Sequence, residues 1–348
     1  MSAAAADGGP LVAVVGAGSW GTAFGSISAG KGVATMLWAR REDLAGAIAT
    51  RHENPDYLPG IELPPALGAT HDLERAVSRA GVVVMAVPSH TFRENFRAVL
   101  EVLPPEAPVV SLVKGIEQDT RKRMSEVMRD EADLSPSRVA VVSGPNLAKE
   151  IARRQPAASV VACTDEAAAR RLQDLFMAPY FRVYTNPDLV GVEMGGCTKN
   201  VIAIAAGIAD GLGFGDNAKA SLLTRGLAEL ARLGVAMGGN ALTFAGLAGM
   251  GDLIATCMSP LSRNRHVGEE LGKGRSLDEI VTEMNMVAEG VKTSRPVCDL
   301  GREFDVEVPI SEHVVKVLYE GVPVREMVTS LMLREAKPEL HGIEPDRE

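Results

Sequence analysis

Residues 11–15 (LVAVV) are apolar at every position, the pattern of a strand buried on both faces. The pattern recurs at 33–38 (VATMLW), 82–87 (VVVMAV), 108–113 (PVVSLV) and 139–143 (VAVVS). Helix-like stretches at 72–79, 90–102 and 121–129 lie between them, and a helix is also expected from the first strand's turn to about Gly30. Strand and helix in alternation predict right-handed crossovers and a parallel sheet with helices on both faces. Residues 158–162 and 181–184 extend that sheet. The texture changes at Asn186-Pro187. From 192 onward the expected elements are helices, at 192–209, 218–237, 277–284, 294–300 and 311–318, with almost no strand signal. The expected organisation is a flexible N-terminus over 1–10, an α/β domain over 11–188, an all-helical domain over 189–336 and a loose tail over 337–348.

Composition narrows the class. Hydrophobic residues make up 46% of the 348 and charged residues 23%, the balance of a globular protein, while aromatics at 4% call for an aliphatic core. The net charge of −9 removes any general attraction to nucleic acid or anionic lipid, so phosphate must be bound by a local site. Four scattered cysteines, Cys163, Cys197, Cys257 and Cys298, contain no C-x-x-C pair and read as free thiols of a reducing compartment. The alanine-rich start lacks the basic and apolar regions of a signal peptide. The longest apolar stretch, 201–214, is shorter than a bilayer span and contains Asp210, so membrane insertion is not expected and a cytoplasmic location is. The six histidines are scattered, and no metal site is expected.

The first buried strand runs directly into Gly16-Ala17-Gly18-Ser19-Trp20-Gly21. A G-x-G-x-x-G turn between a strand and a helix is the dinucleotide fingerprint of a Rossmann-type doubly wound sheet. Gly16 permits the tight turn, Gly18 lets backbone approach a pyrophosphate, and Gly21 lets the helix pack close to the sheet. The amides of Ser19 and Trp20 then point, with the helix dipole, at phosphate. At the end of the second strand an NAD site commonly carries an acid for the ribose hydroxyls. This chain has Arg40-Arg41 instead, which suits a 2′-phosphate and favours NADP(H); Glu42 keeps NAD(H) open. Lys114-Gly115 and Ser143-Gly144-Pro145-Asn146 follow later strands, at the edge where such sheets bind ligands.

Lys199 lies in a run of small and apolar residues, Gly195 to Ile204. Partial desolvation there favours the neutral amine, which suits a general base taking a hydroxyl proton as hydride leaves the same carbon. The competing reading is a lysine that reaches from a buried helix to the surface. Asn200 can orient it. Asp252 and Thr256 are four apart, on one face of any helix they share, and Asp252 can hydrogen-bond the lysine or a substrate hydroxyl. Ser262-Arg263-Asn264 offers a hydroxyl, a fixed cation and an amide, a set suited to a phosphate monoester, against the reading of Arg263-Asn264-Arg265 as a solvated basic loop.

In this order these motifs, with Ser143 to Glu150, Thr198-Lys199-Asn200, Gly249 to Thr256 and Val287-Ala288-Glu289-Gly290, resemble bacterial-type NAD(P)-dependent glycerol-3-phosphate dehydrogenase over nearly the whole chain. The resemblance implies reduction of dihydroxyacetone phosphate to sn-glycerol 3-phosphate, a precursor of glycerophospholipids. It makes Lys199 the proton acceptor. It assigns Lys114, Gly144, Asn146, Lys199, Asp252, Ser262, Arg263 and Asn264 to substrate. It assigns Gly16, Gly18, Ser19, Trp20, Gly21, Arg40, Arg41, Lys114, Ala148, Arg263, Val287 and Glu289 to the cofactor. It also implies a homodimer formed through the helical domain. Asn146 stands where bacterial relatives usually have Ser or Thr; an amide can still donate to substrate or phosphate. Two other readings differ in what they need. A dehydrogenase of hydroxy acids or ketopantoate needs a carboxylate clamp and no phosphate site. A non-catalytic dinucleotide sensor needs the glycine turn but not Lys199 with Asp252.

Overall fold

The computed structural model describes residues 12–284 and 288–339. The chain divides into two compact units. Of the described residues, one takes 12–113 together with Met124–Leu189; the other takes Lys114–Arg123 and those from Val190 onward. A division at 188/189 leaves the 114–123 excursion in the first domain, whereas its packing places it in the second.

The first unit is built on eight strands: β1 Val12–Val15, β2 Thr35–Trp38, β3 Leu67–Thr70, β4 Val82–Met85, β5 Val109–Ser111, β6 Val139–Ser143, β7 Ala157–Ala162 and β8 Phe181–Asn186. Their order is β3-β2-β1-β4-β5-β6-β7-β8. β1 therefore lies between β2 and β4, with Val14 level with Leu37 on one side and Val84 on the other. The connections leave β1 in opposite directions, which opens the crevice where doubly wound sheets take their ligands. All pairs are parallel except β6 and β7, where Val142 faces Val161 in antiparallel register. The expected all-parallel sheet is corrected at this one point. The β6–β7 connection carries only the short helix Ala148–Ala152, which folds the chain back without a full crossover.

The uniformly apolar strands are buried as their pattern requires; β1 and β4 are buried at every residue. Phe24, Phe176 and Phe181 close one side of the core, with the Phe24 and Phe176 rings 4.7 Å apart. β3 (LGAT) carries too little β-branched character to be read from sequence, and its register, Trp38 against Thr70, is set by its neighbour β2. The helix expected from 121 starts only at Met124, because Arg121 has φ +60° in a turn where Glu117 N–H donates to Lys122 O.

The second unit is helical, and no strand lies among its described residues. Its central helix, Leu189–Gly211, is long and apolar enough to cross a membrane by length and composition, yet 94% of its apolar window is buried inside the fold. Glycine allows this depth of packing. A Cβ at Gly207 would sit 2.0 Å from Arg265 O, and one at Gly268 would sit 1.9 Å from Ile204 O, so this helix and Arg263–Gly272 touch backbone to backbone. Helices Asp252–Met258, Arg263–Gly272 and Val324–Met332 were not expected from periodicity. The first two are short and interrupted by glycine or flanked by Ser259-Pro260, and Arg263–Gly272 buries only Val267 and Leu271 among large apolar residues. Arg263-Asn264-Arg265 is therefore the first turn of a helix and not a loop, capped by Ser262 Oγ, which accepts from Arg265 N at 3.2 Å.

Candidate active site

Lys199 and Asn200 sit midway along Leu189–Gly211, where every neighbour is buried. Three residues of that helix, Glu193, Cys197 and Asn200, share a face by their spacing of four and three. All three hold the 114–123 excursion. Arg123 Nη1 donates to Glu193 Oε2 at 2.6 Å, Cys197 Sγ donates to Gly115 O at 3.2 Å, and Asn200 Nδ2 donates to Lys114 O at 3.0 Å. The backbone of Lys114 is thereby fixed to the helix that carries Lys199.

Gly195, one turn before Lys199, removes the Cβ that would otherwise lie 2.5 Å from Ala248 O. This lets the π-helical turn Leu247–Gly251 close onto the helix and delivers Asp252, first residue of Asp252–Met258, to the lysine. Asp252 Oδ1 lies 3.0 Å from Lys199 Nζ, and Oδ2 lies 2.7 Å from Lys114 Nζ. Lys199 Nζ also donates to Thr256 Oγ1 at 2.6 Å, and that hydroxyl donates to Asp252 Oδ1 at 3.3 Å. Lys199 is 5% exposed and Asp252 1%, so the lysine does not reach the surface. One carboxylate between two ammoniums leaves the cluster cationic, which favours an anionic ligand. Burial lowers the Lys114 amine from its ordinary 10.5 to about 8; Asp252 opposes that shift and the Lys199 charge adds to it.

Beside this cluster, Asn264 Nδ2 donates to Asn200 Oδ1 at 2.9 Å, and Asn264 Oδ1 accepts from Gly290 N at 2.9 Å. Both ends of the Asn264 amide are thus engaged in joining three helices, so it is a positioning group as much as a ligand contact. A Cβ at Gly290 would lie 2.5 Å from Asn200 O, which requires glycine at this crossing. Ser262 is buried and its hydroxyl proton meets no acceptor among the described residues, while Arg263 is exposed in the first turn of the same helix. Glu289, at the start of Glu289–Glu303, acts electrostatically on Arg263. Val287 lies outside the described residues.

In the sheet unit the glycine turn has the geometry a dinucleotide requires. Gly16 has φ +117°, and a Cβ there would lie 2.6 Å from Ala86 O. A Cβ on Gly21 would lie 2.0 Å from Gly16 O. Gly18 is different: a Cβ there would meet nothing within 4 Å, so its glycine character leaves room for a ligand and is not demanded by the protein. Gly18 caps the helix Ser19–Gly30 by backbone alone, so no cap side chain occupies the first-turn amides. Ser19 Oγ donates to Tyr57 O at 3.0 Å, and Trp20 packs edge-on against Phe24 at 5.4 Å. The turn is braced by fully buried Asn54, which donates to Ala17 O at 3.0 Å and to Thr22 Oγ1 at 2.8 Å. Asn54 belongs to no motif and could not be found from sequence. Beyond β2, Arg41 is held by Asp43 at 3.1 Å and Asp56 at 2.5 Å, whereas Arg40 is exposed and makes no ion pair among the described residues. The two guanidiniums are not equivalent.

Past β6, Gly144 has φ +143°, Asn146 Nδ2 donates to Ser159 Oγ at 3.2 Å, and Ala148 opens the short helix Ala148–Ala152. Thr256 completes the Lys199 network and Asn200 holds the Lys114 backbone, although the resemblance gives neither a ligand role. The four-residue spacing from Asp252 and the adjacency to Lys199 were the signals.

Residues 11–169 match the family profile described as NAD-dependent glycerol-3-phosphate dehydrogenase N-terminus, and residues 188–329 match its C-terminus. The glycerol-3-phosphate dehydrogenase (NAD(P)+) of Thermobifida fusca is 57% identical over 95% of this chain and 99% of its own length. That of Streptomyces avermitilis is 54% identical over 94% and 97%. The crystal structure of glycerol-3-phosphate dehydrogenase from Coxiella burnetii superposes with a TM-score of 0.89 at 35% identity, covering 93% of this chain and 98% of the other.

Proposed function

The chain belongs to the NAD-dependent glycerol-3-phosphate dehydrogenase family, and on that premise we propose how its residues divide the reaction. The activity is the NAD(P)-dependent interconversion of dihydroxyacetone phosphate and glycerol 3-phosphate. Lys199 is the general acid and base. It gives a proton to the developing alkoxide when the ketone is reduced and takes one from the hydroxyl in reverse. The observation that carries this role is the buried Lys199–Asp252–Thr256 network: two of the ammonium's three donors are fixed, and the third, without a partner among the described residues, can meet a substrate oxygen.

Lys114 adds a second cation, and Asp252 orients both amines. Ser262, Arg263 and the first turn of Arg263–Gly272 are assigned to the substrate phosphate, since a helix N-terminus and a guanidinium both favour that anion. Asn264 holds Asn200 in place beside them, and Gly144 and Asn146 serve substrate or cofactor from the sheet unit.

The nicotinamide cofactor supplies the hydride. For its dinucleotide, the residues present fit: Gly18 leaves space at a helix N-terminus that no side chain caps. We assign Gly16, Gly18, Ser19, Trp20 and Gly21 to the pyrophosphate turn, Arg40 chiefly to a 2′-phosphate, and Ala148, Val287, Glu289 and Arg263 to further cofactor contacts. NADP(H) is the preferred form on this reading. The sheet unit is the nucleotide domain, and the helical unit is the substrate and dimerisation domain. The exposed side chains of Met250, Ile254 and Met258 on the latter supply apolar surface for a homodimer. Four buried, free cysteines fit a cytoplasmic enzyme that supplies glycerophospholipid synthesis.

The deciding measurement is oxidation of NADPH and NADH followed at 340 nm with dihydroxyacetone phosphate, with ketopantoate as control (on the order of the usual micromolar to millimolar KM range). Turnover of ketopantoate with none of the triose phosphate would overturn the reading.

A further inference from the structure

We propose that Asn146 presents its side-chain oxygen Oδ1 as a fixed acceptor for a neutral N–H or O–H donor on a bound ligand. The proposal rests on the reading that the sheet unit binds NAD(P) and deepens it.

The argument begins with a single proton. Ser159 Oγ donates to Ser143 O at 2.9 Å. A hydroxyl has one proton to give, so toward Asn146, 3.2 Å away, Ser159 offers only lone pairs. The amide must therefore turn its NH2 end to Ser159. The two ends of an asparagine amide are assigned from their partners, and here the partners permit one orientation. Gly144 keeps the arrangement close: a Cβ there would lie 3.1 Å from Ser159 Cα and 3.3 Å from Ser159 Oγ.

The opposite end of the amide is then Oδ1. It is buried and accepts no hydrogen bond among the described residues. A buried acceptor without a partner is strongly disfavoured, and native folds rarely keep one unless something else meets it. This one lies just past the carboxyl end of β6, on the edge where doubly wound sheets bind ligands. Ser143 Oγ, at the end of the same strand, is also buried without a partner among the described residues. The expectation that the Asn146 amide donates to substrate or phosphate is thereby narrowed. One N–H of its NH2 is committed to Ser159, and the buried carbonyl oxygen repels phosphate. The ligand group that fits is a neutral donor. The reaction offers two: the carboxamide NH2 on the nicotinamide ring and the primary hydroxyl of the triose phosphate.

Two pairs of probes separate these sources. NADPH is compared with its 3-acetylpyridine analogue, in which methyl replaces the amide NH2, by fluorescence titration of the full chain. Dihydroxyacetone phosphate is compared with acetol phosphate, which lacks the primary hydroxyl, by kcat/KM. Each comparison uses the natural chain, Asn146→Leu and Ser159→Ala. The expected result is that the natural chain prefers the donor-bearing member of one pair by about tenfold or more. Asn146→Leu loses that preference, and Ser159→Ala weakens it because the amide is free to turn. Preferences that stay the same in both variants overturn the proposal. If Asn146→Leu fails to fold, Ser159→Ala decides alone, an unchanged preference counting against the proposal. The cofactor titration does not depend on turnover. A chain that binds NADPH but does not reduce dihydroxyacetone phosphate overturns the assigned reaction and leaves the amide arm readable.

Discussion

Lys199 and Lys114 share the carboxylate of Asp252, one on each oxygen, at 3.0 and 2.7 Å. The two lysines are 85 residues apart in the chain, and the carboxylate that joins them lies further along on another helix. Because the bonds to Asp252 and Thr256 aim the Lys199 amine, its removal should act on the chemical step. Lys199→Ala is expected to lower kcat by about 10²–10⁴-fold, the range for a general acid–base group. The Kd for NADPH, measured by fluorescence titration, should stay nearly unchanged. Undiminished turnover would remove Lys199 from the mechanism.

Asp252 has a second role, because it separates two cations, buried Lys199 and half-buried Lys114. Asp252→Ala leaves both ammoniums without their carboxylate. Truncating one member of a buried ionic group typically destabilises by about 3–5 kcal/mol. The variant should therefore lose activity and also unfold at lower temperature. Thr256→Val, which removes one neutral partner of Lys199, should lower kcat with a much smaller change in Tm. Calorimetry and kinetics on the two variants test the distinction, and equal Tm losses would count against it.

The Lys114 amine titrates near pH 8 in the folded chain, well below its ordinary 10.5. It is a cation below about pH 8 and neutral above. If it attracts the substrate phosphate, kcat/KM for dihydroxyacetone phosphate should fall as pH rises through about 8, since that ratio reports the free enzyme. Lys114→Arg should move this limb out of the accessible range, because a guanidinium stays charged. Stability moves the other way. Between about 8 and 10.5 the unfolded chain binds the proton that the folded chain has lost, so the contribution of this group to folding rises with pH. An alkaline limb that is unaltered in Lys114→Arg would assign it to another group.

The buried strands, the glycine turn and the helical second half were legible because each is a local pattern. Residues 11–15 and 82–87 read as strands since burial on both faces leaves no polar position. The link from Lys199 to Asp252 was legible in part, because Asp252 and Thr256 announce one helix face. The link from Lys114 to Asp252 was not, for it depends on the 114–123 excursion being held by Glu193, Cys197 and Asn200, and no local spacing encodes that. Asn264 read as a phosphate donor because side-chain chemistry is visible in sequence. That its amide already joins Asn200 to Gly290 is visible only in three dimensions.

Arg40 and Arg41 illustrate the same limit and give a prediction. Arg41 is tied to Asp43 and Asp56, and Arg40 is exposed with no ion pair among the described residues. Recognition of a 2′-phosphate should therefore fall mainly on Arg40. Loss of one charge-assisted hydrogen bond is worth about 1.5–3 kcal/mol. Arg40→Ala should accordingly raise KM for NADPH by roughly 10–100-fold with little change for NADH. Arg41→Ala should shift the ratio less. Equal effects of Arg40→Ala on both cofactors would end the case for 2′-phosphate recognition.

The three glycines of the cofactor turn should separate by experiment, because the protein needs them for different reasons. A methyl group on Gly21 would lie 2.0 Å from Gly16 O, inside the strand–helix junction. Gly21→Ala must force that junction apart, and overpacking of this kind costs about 1–3 kcal/mol. Its Tm should fall, and NADPH binding should weaken as a consequence. A methyl group on Gly18 would meet no protein atom within 4 Å, and its backbone angles, φ −70° and ψ 177°, suit any residue. Gly18→Ala should therefore fold with an unchanged Tm. On the proposed cofactor assignment, the space it fills is the one through which a pyrophosphate would reach the first-turn amides of Ser19–Gly30. Its Kd for NADPH should rise by roughly tenfold or more, equivalent to about 1.4 kcal/mol. Calorimetry and fluorescence titration on the two variants read this contrast directly. If Gly18→Ala bound NADPH as tightly as the natural chain, the ligand would not approach the backbone at this glycine.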